Sequence, residues 1–246
     1  MMPFSTQRIG AAFERRLASY DGAAIVQRRI AERLGRLILD HQDRYARIME
    51  LGHGTGFLTA QLARLDPEEV WLNDLVAPLP QVAWPERTIL HRCMGDAQRL
   101  VLPPALDLVA SSSMLQWLAS PQEMIRHAVA ALAQGGLLAL SSFGPDNFPE
   151  LAAYGLGAGA PSYRDAQDLR RGLPDTVQVL AAFDDHMPLT FPDARALFAH
   201  LRATGVNGQN AGMLDVAALR NLMRSMEEDG AVTLTYRPSY CIARKL

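Results

Sequence analysis

Glu50-Leu51-Gly52-His53-Gly54-Thr55-Gly56 is the stretch on which the fold reading turns. It closes a short apolar run, 46–51, that reads as a buried strand, and it opens 57–63, which reads as a helix stopped before Pro67. Glycines at alternate positions after a strand let the backbone turn tightly and approach a ligand at the carboxyl edge of a parallel sheet. The spacing is not GxGxxG, because the third glycine comes one residue early. A P-loop would need Gly-Lys-Ser/Thr, which is absent.

Working outward, the same alternation continues. Residues 69–74, 88–92 and 106–111 read as further strands, 121–132 as a helix that Gln134-Gly135-Gly136 stops, and 137–142 as a fifth strand. Strands alternating with helices imply βαβ units, hence an α/β fold with a mostly parallel, doubly wound sheet covered on both faces. Upstream, 1–45 reads as a helical cap with an apolar stripe through Phe13, Tyr20, Val26, Ile30, Leu34 and Ile38, broken at Asp21-Gly22. Downstream, glycines and prolines across 143–175 indicate a loop-and-helix insertion after strand five. Regularity returns with a strand at 176–183, helices at 192–203 and 215–228 and a last strand at 232–243, all expected to complete the same sheet. The chain reads as one domain, 1–246: cap 1–45, core 46–142, substrate-side insertion 143–175 and C-terminal part 176–246.

Composition narrows the function classes. The 246 residues are 49% hydrophobic and 20% charged, an ordinary globular balance. With 24 basic against 26 acidic residues the net charge of −2 argues against a protein that coats nucleic acid. Lys245 is the one lysine, so the other basic residues are arginines. Cys93 and Cys241 lie far apart without a CxxC pattern, the histidines lack metal-ligand spacing, and no apolar run approaches the ~20 residues of a membrane span. The first residues lack the apolar stretch of a secretion signal, so a cytoplasmic location is expected, with no metal, membrane or nucleic-acid partner.

The run at 50–56 resembles motif I of the class I S-adenosylmethionine-dependent methyltransferases. Asp74 lies 18 residues beyond Gly56, at the end of the second strand, and Gly95-Asp96-Ala97 follows the third; both match that family's order. The resemblance implies a Rossmann-like methyltransferase fold that binds S-adenosylmethionine and releases S-adenosylhomocysteine. It implies that Glu50, Gly52, Gly54 and Gly56 shape the cofactor turn, that Asp74 takes the ribose hydroxyls, and that Asp96 and Ala97 contact adenine. Ser111, in Ser111-Ser112-Ser113, would face the cofactor's amino acid end. A carboxylate suits a vicinal diol because it accepts two hydrogen bonds.

A narrower resemblance is to the biotin-pathway malonyl-acyl-carrier-protein O-methyltransferases. It rests on Phe13 with Tyr20-Asp21 and Gln27 in the cap, Gln116-Trp117 after strand four, and Phe148-Pro149-Glu150-Leu151 after strand five. Gly205-Val206-Asn207-Gly208 and Leu234-Thr235-Tyr236 complete it near the end. It implies methylation of the free carboxylate of a malonyl thioester on acyl carrier protein, early in biotin (pimeloyl) synthesis. Tyr20 would close over the reacting centre, and Gln116 and Trp117 would form the acceptor wall. Since a carboxylate is largely ionised near neutral pH, the chemistry needs alignment and exclusion of water rather than a base or a metal.

A buried carboxylate calls for a cationic or multidentate partner, and Arg164, Arg170 and Arg171 in the insertion are the candidates, with no choice among them. Arg29, Arg33 and Arg36 fall on one side of the cap helix, a face suited to an acidic carrier. Another small carboxylic acid as acceptor, or a methyltransferase-like binding protein without turnover, stand as the alternatives.

Overall fold

Apolar strands buried on both faces set the architecture of the computed structural model, which describes residues 6–15, 17–156, 160–204, 216–228, 230 and 232–246. The strands are β1 (Arg47–Leu51), β2 (Glu69–Asp74), β3 (Ile89–Met94), β4 (Leu106–Ser112), β5 (Leu132–Phe143), β6 (Val177–Asp184), β7 (Met187–Phe191), β8 (Val232–Tyr236) and β9 (Pro238–Lys245). Seven of them form one sheet in the order β3-β2-β1-β4-β5-β9-β6. The first five are parallel, and β9 inserts antiparallel between β5 and β6. The chain winds one way from β1 to β2 and β3, then the other way to β4 and β5. The crevice outside the carboxyl ends of β1 and β4 is therefore the switch point where such sheets bind ligands.

The helices are α1 (Thr6–Glu14), α2 (Leu17–Ala23), α3 (Ile25–Leu39), α4 (Thr59–Leu62), α5 (Pro121–Ala131), α6 (Pro149–Ala153), α7 (Ala166–Arg171), α8 (Ala194–Ala203) and α9 (Val216–Glu228). Val26, Ile30, Leu34 and Ile38 put a buried stripe of α3 against one face of the sheet, while α5 buries Met124, Ile125, Ala128 and Val129 against the other. Gly35 lets α3 approach closely: a Cβ there would stand 2.6 Å from the Cβ of Gln61 in α4.

Several boundaries differ from the sequence reading. Asp21-Gly22 lies inside α2, and the cap breaks instead after Glu14 and at Ala24. Gln134-Gly135-Gly136 lies within β5, which starts directly after α5. There Gly135 takes φ +80°, and a Cβ on Gly136 would sit 2.8 Å from the Leu106 carbonyl oxygen. The stretch 232–243 is two strands in two sheets. The chain leaves one at Arg237, and β8 pairs antiparallel with β7, a strand the sequence reading did not anticipate. In the insertion, α7 buries Leu169 in the core against the sheet, while Phe143, Asn147, Phe148, Pro161 and Tyr163 of the same segment face cavities. The motif at 205–208 and the first residue of the 215–228 helix lie outside the described residues.

Candidate functional site

Leu51 ends β1, and Gly52 (φ +71°) turns the chain so that the N–H groups of Gly52 and His53 both donate to the Asn73 carbonyl, each at 2.9 Å. The Asn73 side chain reaches the other way, donating to the carbonyls of Cys93 (2.7 Å) and Gly95 (3.0 Å). This one residue ties the ends of β1, β2 and β3 together. In the sequence Asn73 stands out only as the residue before Asp74.

The Asp74 carboxylate braces the loop. Oδ2 accepts the Gly54 N–H at 2.9 Å, and Oδ1 accepts the N–H groups of Val76 and Ala77 at 2.9 and 2.8 Å. Asp96 Oδ1 accepts the Gln98 N–H at 3.0 Å and so caps the 3₁₀ turn that begins at Ala97. Glu50 is buried, accepts the Thr59 hydroxyl at 2.7 Å, and has its pKa pushed up to about 8, chiefly by burial. His53 donates from Nδ1 to the Gly54 carbonyl at 2.8 Å, and burial pushes its pKa down, so the ring is neutral.

These groups line a chamber of about 400 Å³ at the switch point, inside the ~300–1,000 Å³ range of small-molecule sites. Glu50, Gly52, Gly54, Asp74, Asp96 and Ala97, the residues that the resemblance assigns to the cofactor, all face it. Tyr20 and Trp117 close it from the cap and from the turn after β4. Phe13 of α1 meets Trp117 edge-on at 5.2 Å and Tyr20 at 6.4 Å, while Phe57 stacks on Tyr20 at 6.4 Å. Burial, then the carboxylates of Asp21 and Asp74, raise the Tyr20 phenol above its ordinary range, so it stays a protonated donor.

Two residues expected at the cofactor, Gly56 and Ser111, stand outside the chamber, and Gln116, expected in the acceptor wall, faces a second cavity. Gly56 does not line the chamber; its φ of +100° and a Cβ position 2.4 Å from Pro80 make it a packing glycine. The Ser111 hydroxyl is buried and donates to the Leu51 carbonyl at 2.9 Å, strapping β4 to β1, and Ser112 and Ser113 face the chamber in its place. Gln116 lies behind the chamber wall: its amide donates to the Ser113 carbonyl at 2.6 Å and its oxygen accepts from Ser142 at 3.3 Å. It lines instead a second, smaller cavity, which Phe13, Tyr20, Gln27, Ser113 and Trp117 share with the chamber.

None of Arg164, Arg170 and Arg171 lines either cavity; Arg171 pairs with Asp168 at 2.9 Å, and Arg170 is exposed on α7. Arg33 is ion-paired to Asp185 and lies over the rings of Phe183 (5.0 Å) and Tyr240 (5.5 Å), whereas Arg29 and Arg36 are exposed.

The lining fits the sulfonium nucleoside that the motif resemblance implies. Among its described residues stand the carboxylates of Asp74 and Asp96, the protonated Glu50 and no Lys or Arg, which suits a cationic ligand. A Cβ on Gly54 or Gly95 would meet nothing within 4 Å, so side chains there would fill the space the loop keeps open. Buried lining atoms without a protein partner, among them His53 Nε2, Thr55 Oγ1 and Ser113 Oγ, are where ligand hydrogen bonds are called for. Among the described residues no group of three or more His, Cys, Asp or Glu converges as metal ligands would, and no helix is long and apolar enough to cross a membrane.

Comparison with known proteins gives the same picture at two levels. The methyltransferase domain family matches residues 49–140. The malonyl-acyl-carrier-protein O-methyltransferase of Chlorobium phaeovibrioides is 33% identical over 96% of this chain and 95% of its own length. The enzymes of that name from Bacteroides thetaiotaomicron and Acinetobacter baylyi are each 32% identical over 96% of this chain. Among solved structures, the N-methyltransferase NodS of Bradyrhizobium japonicum, in complex with S-adenosylhomocysteine, superposes with a TM-score of 0.57 at 15% identity, covering 96% of this chain and 98% of that one. The 1,6-didemethyltoxoflavin-N1-methyltransferase of Burkholderia thailandensis gives 0.54 at 16% identity, covering 100% and 92%. At that identity they establish the Rossmann-like methyltransferase fold.

Proposed function

Because the chain belongs to the malonyl-acyl-carrier-protein O-methyltransferase family, we propose that its chamber and the adjoining cavity carry out that transfer: a methyl group passes from S-adenosylmethionine to the free carboxylate of a malonyl thioester on acyl carrier protein, early in biotin synthesis. The observation that carries this reading is a chamber at the switch point whose described lining has acids and no Lys or Arg, and which shares a wall with a second cavity lined by aromatic rings, hydroxyls and amides. The bound donor supplies a methyl carbon already activated by positive sulfur. An acceptor oxygen held against it would take that methyl, the O–C bond forming as the S–C bond breaks and its electron pair returns to sulfur, with no proton for this chain's residues to move.

The residues of this chain have positioning to do. Asp74 is the ribose acceptor, with its carboxylate already oriented by three backbone N–H groups. Asp96 and Ala97 serve the adenine end, and Glu50, Gly52 and Gly54 the floor beneath the methionine portion. Tyr20 and Trp117 stand between the two cavities with Phe13, so they exclude water where methyl and oxygen meet, and Tyr20 offers a protonated hydroxyl as donor. Gln116 acts through Ser113, whose carbonyl it holds. Of the exposed arginines of the cap helix, Arg28 lies over the Phe57 ring, and Arg29 and Arg36 are offered to an acidic carrier.

A methyl-transfer assay comparing malonyl-carrier, malonyl-CoA and free malonate tests the reading. The methyl ester is expected to form fastest on the malonyl-carrier. Transfer to free malonate as fast as to the thioesters, or to none of the three while S-adenosylhomocysteine binds, would assign the enzyme a different acceptor.

A further inference from the structure

The small cavity has a chemical character of its own. Tyr20, Gln27, Ser113, Gln116, Tyr163 and Tyr236 supply its principal polar lining, and none of its described lining residues is charged. Its volume, about 20 Å³, holds one or two water-sized groups on the same measure that asks ~10–15 Å³ of one water, which is the size of a carboxylate head and little more. Phe143 and Phe148 wall it on the side of Tyr236, with ring centroids 5.8 and 4.7 Å from that ring. Phe148 is fully buried and held at φ +64°, so this wall is fixed by the backbone as well as by packing.

Two features point to an occupant. Ser113 sits at φ +56°, a left-handed conformation unusual for a residue with a side chain, and its buried Oγ has no protein partner. The Gln27 side chain, which α3 brings to the same cavity, likewise leaves its buried Oε1 unpartnered; an amide flip turns its N–H₂ to the same place. Behind them the Tyr236 hydroxyl is 2.7 Å from His200 Nε2, which fixes the phenol in the wall.

We propose that this cavity is the seat of the acceptor's carboxylate, gripped by uncharged hydroxyl and amide donors rather than by an arginine, and that its size restricts the acid to a malonyl-length arm. The inference rests on the methyl-transfer reading above and names what selects the acid within it. Neutral donors orient the anion and meet its need for hydrogen bonds while leaving the attacking oxygen unpaired with a fixed cation, and so nucleophilic. A guanidinium would bind the anion more tightly and hold it in the ground state.

The test measures binding of small thioesters of N-acetylcysteamine to the intact protein by quenching of tryptophan fluorescence, alongside methyl transfer from S-adenosylmethionine. Malonyl thioester is expected to bind the wild-type protein about tenfold or more tightly than the acetyl and succinyl thioesters. Ser113→Ala, which removes an atom with no protein partner, is expected to raise the malonyl Kd about fivefold with little change for acetyl. Arg164→Gln is expected to leave both unchanged. Equal binding of malonyl and succinyl thioesters, no effect of Ser113→Ala on the malonyl Kd, or loss of the malonyl preference in Arg164→Gln would each overturn the proposal. Absence of methyl transfer from the wild-type protein to any malonyl thioester would instead strike the functional reading itself.

Discussion

Asp74 carries three backbone N–H groups on its two carboxylate oxygens, so it is a structural brace as well as the proposed ribose contact. Asp74→Ala is expected to weaken S-adenosylhomocysteine binding by about 1–3 kcal/mol in calorimetry, and also to lower Tm. Each kcal/mol of lost stability shows as about 2–4 °C for a chain of this size. A variant that loses affinity with an unchanged Tm would mean the loop holds its shape without the carboxylate. The position of the acid was readable in the sequence, because it closes an apolar strand; its three donors were not, since Val76 and Ala77 look like ordinary loop residues.

Glu50 gives a pH signature. Its carboxyl titrates near 8 in the fold and at 4.5 ordinarily, so between those values the folded state holds a proton that the unfolded chain releases, and stability falls as pH rises through that window. Glu50→Gln removes this dependence while keeping an oxygen for the Thr59 hydroxyl. Its Tm relative to wild type is expected to climb between about pH 5 and pH 8, whereas a constant difference would show Glu50 ionised throughout.

At the scale of elements, the approach of α3 to α4 decides where the cap lies. Gly35 leaves no room for a side chain beside Gln61, and α3 also delivers Gln27 and Ala31 to the chamber. Gly35→Ala is expected to push α3 outward at a cost of about 1–3 kcal/mol, lowering Tm and S-adenosylhomocysteine affinity together. Thermal melts and calorimetry on that one variant check the coupling, and a fall in Tm alone would break it.

The elements also show what periodicity reveals and what it hides. Expected strand 69–74 coincides with β2 because its centre, Val70-Trp71-Leu72, is the apolar run that a parallel strand between two neighbours requires. The 232–243 stretch is as apolar, but nothing local says that β8 and β9 belong to different sheets; Arg237-Pro238 marks the break only once the partners are known. β7 was hidden by Pro188, which a two-stranded ribbon tolerates and an inner strand would not.

At the scale of the whole molecule, charge is divided between holding the fold and meeting a partner. Arg33 holds the fold. Its partner Asp185 is 152 residues away, beyond any local pattern, and Phe183 and Tyr240 complete the clamp. Arg29 lies on the exposed side of the same helix. Arg29→Glu is expected to raise the KM for a carrier-borne malonyl group several-fold, leaving that for a small malonyl thioester and the Tm unchanged. Arg33→Glu is expected to lower Tm instead. Steady-state kinetics on both substrates separates these outcomes, and equal losses on the two by Arg29→Glu would move the carrier to another face. The glycine turn, the acids at positions 74 and 96 and the capping aromatics were legible because each follows its own strand or helix. The second cavity was not, because it is assembled from the cap, the turn after β4, the insertion and β8.

A crystal structure of the protein with S-adenosylhomocysteine tests the account most directly. The ribose hydroxyls are expected within hydrogen-bond distance of Asp74, the adenine beside Asp96 and Ala97, and the sulfur facing the wall of Tyr20, Ser113 and Trp117 that divides the two cavities. A nucleoside bound elsewhere, or bound in the chamber with its sulfur turned away from that wall, would contradict it.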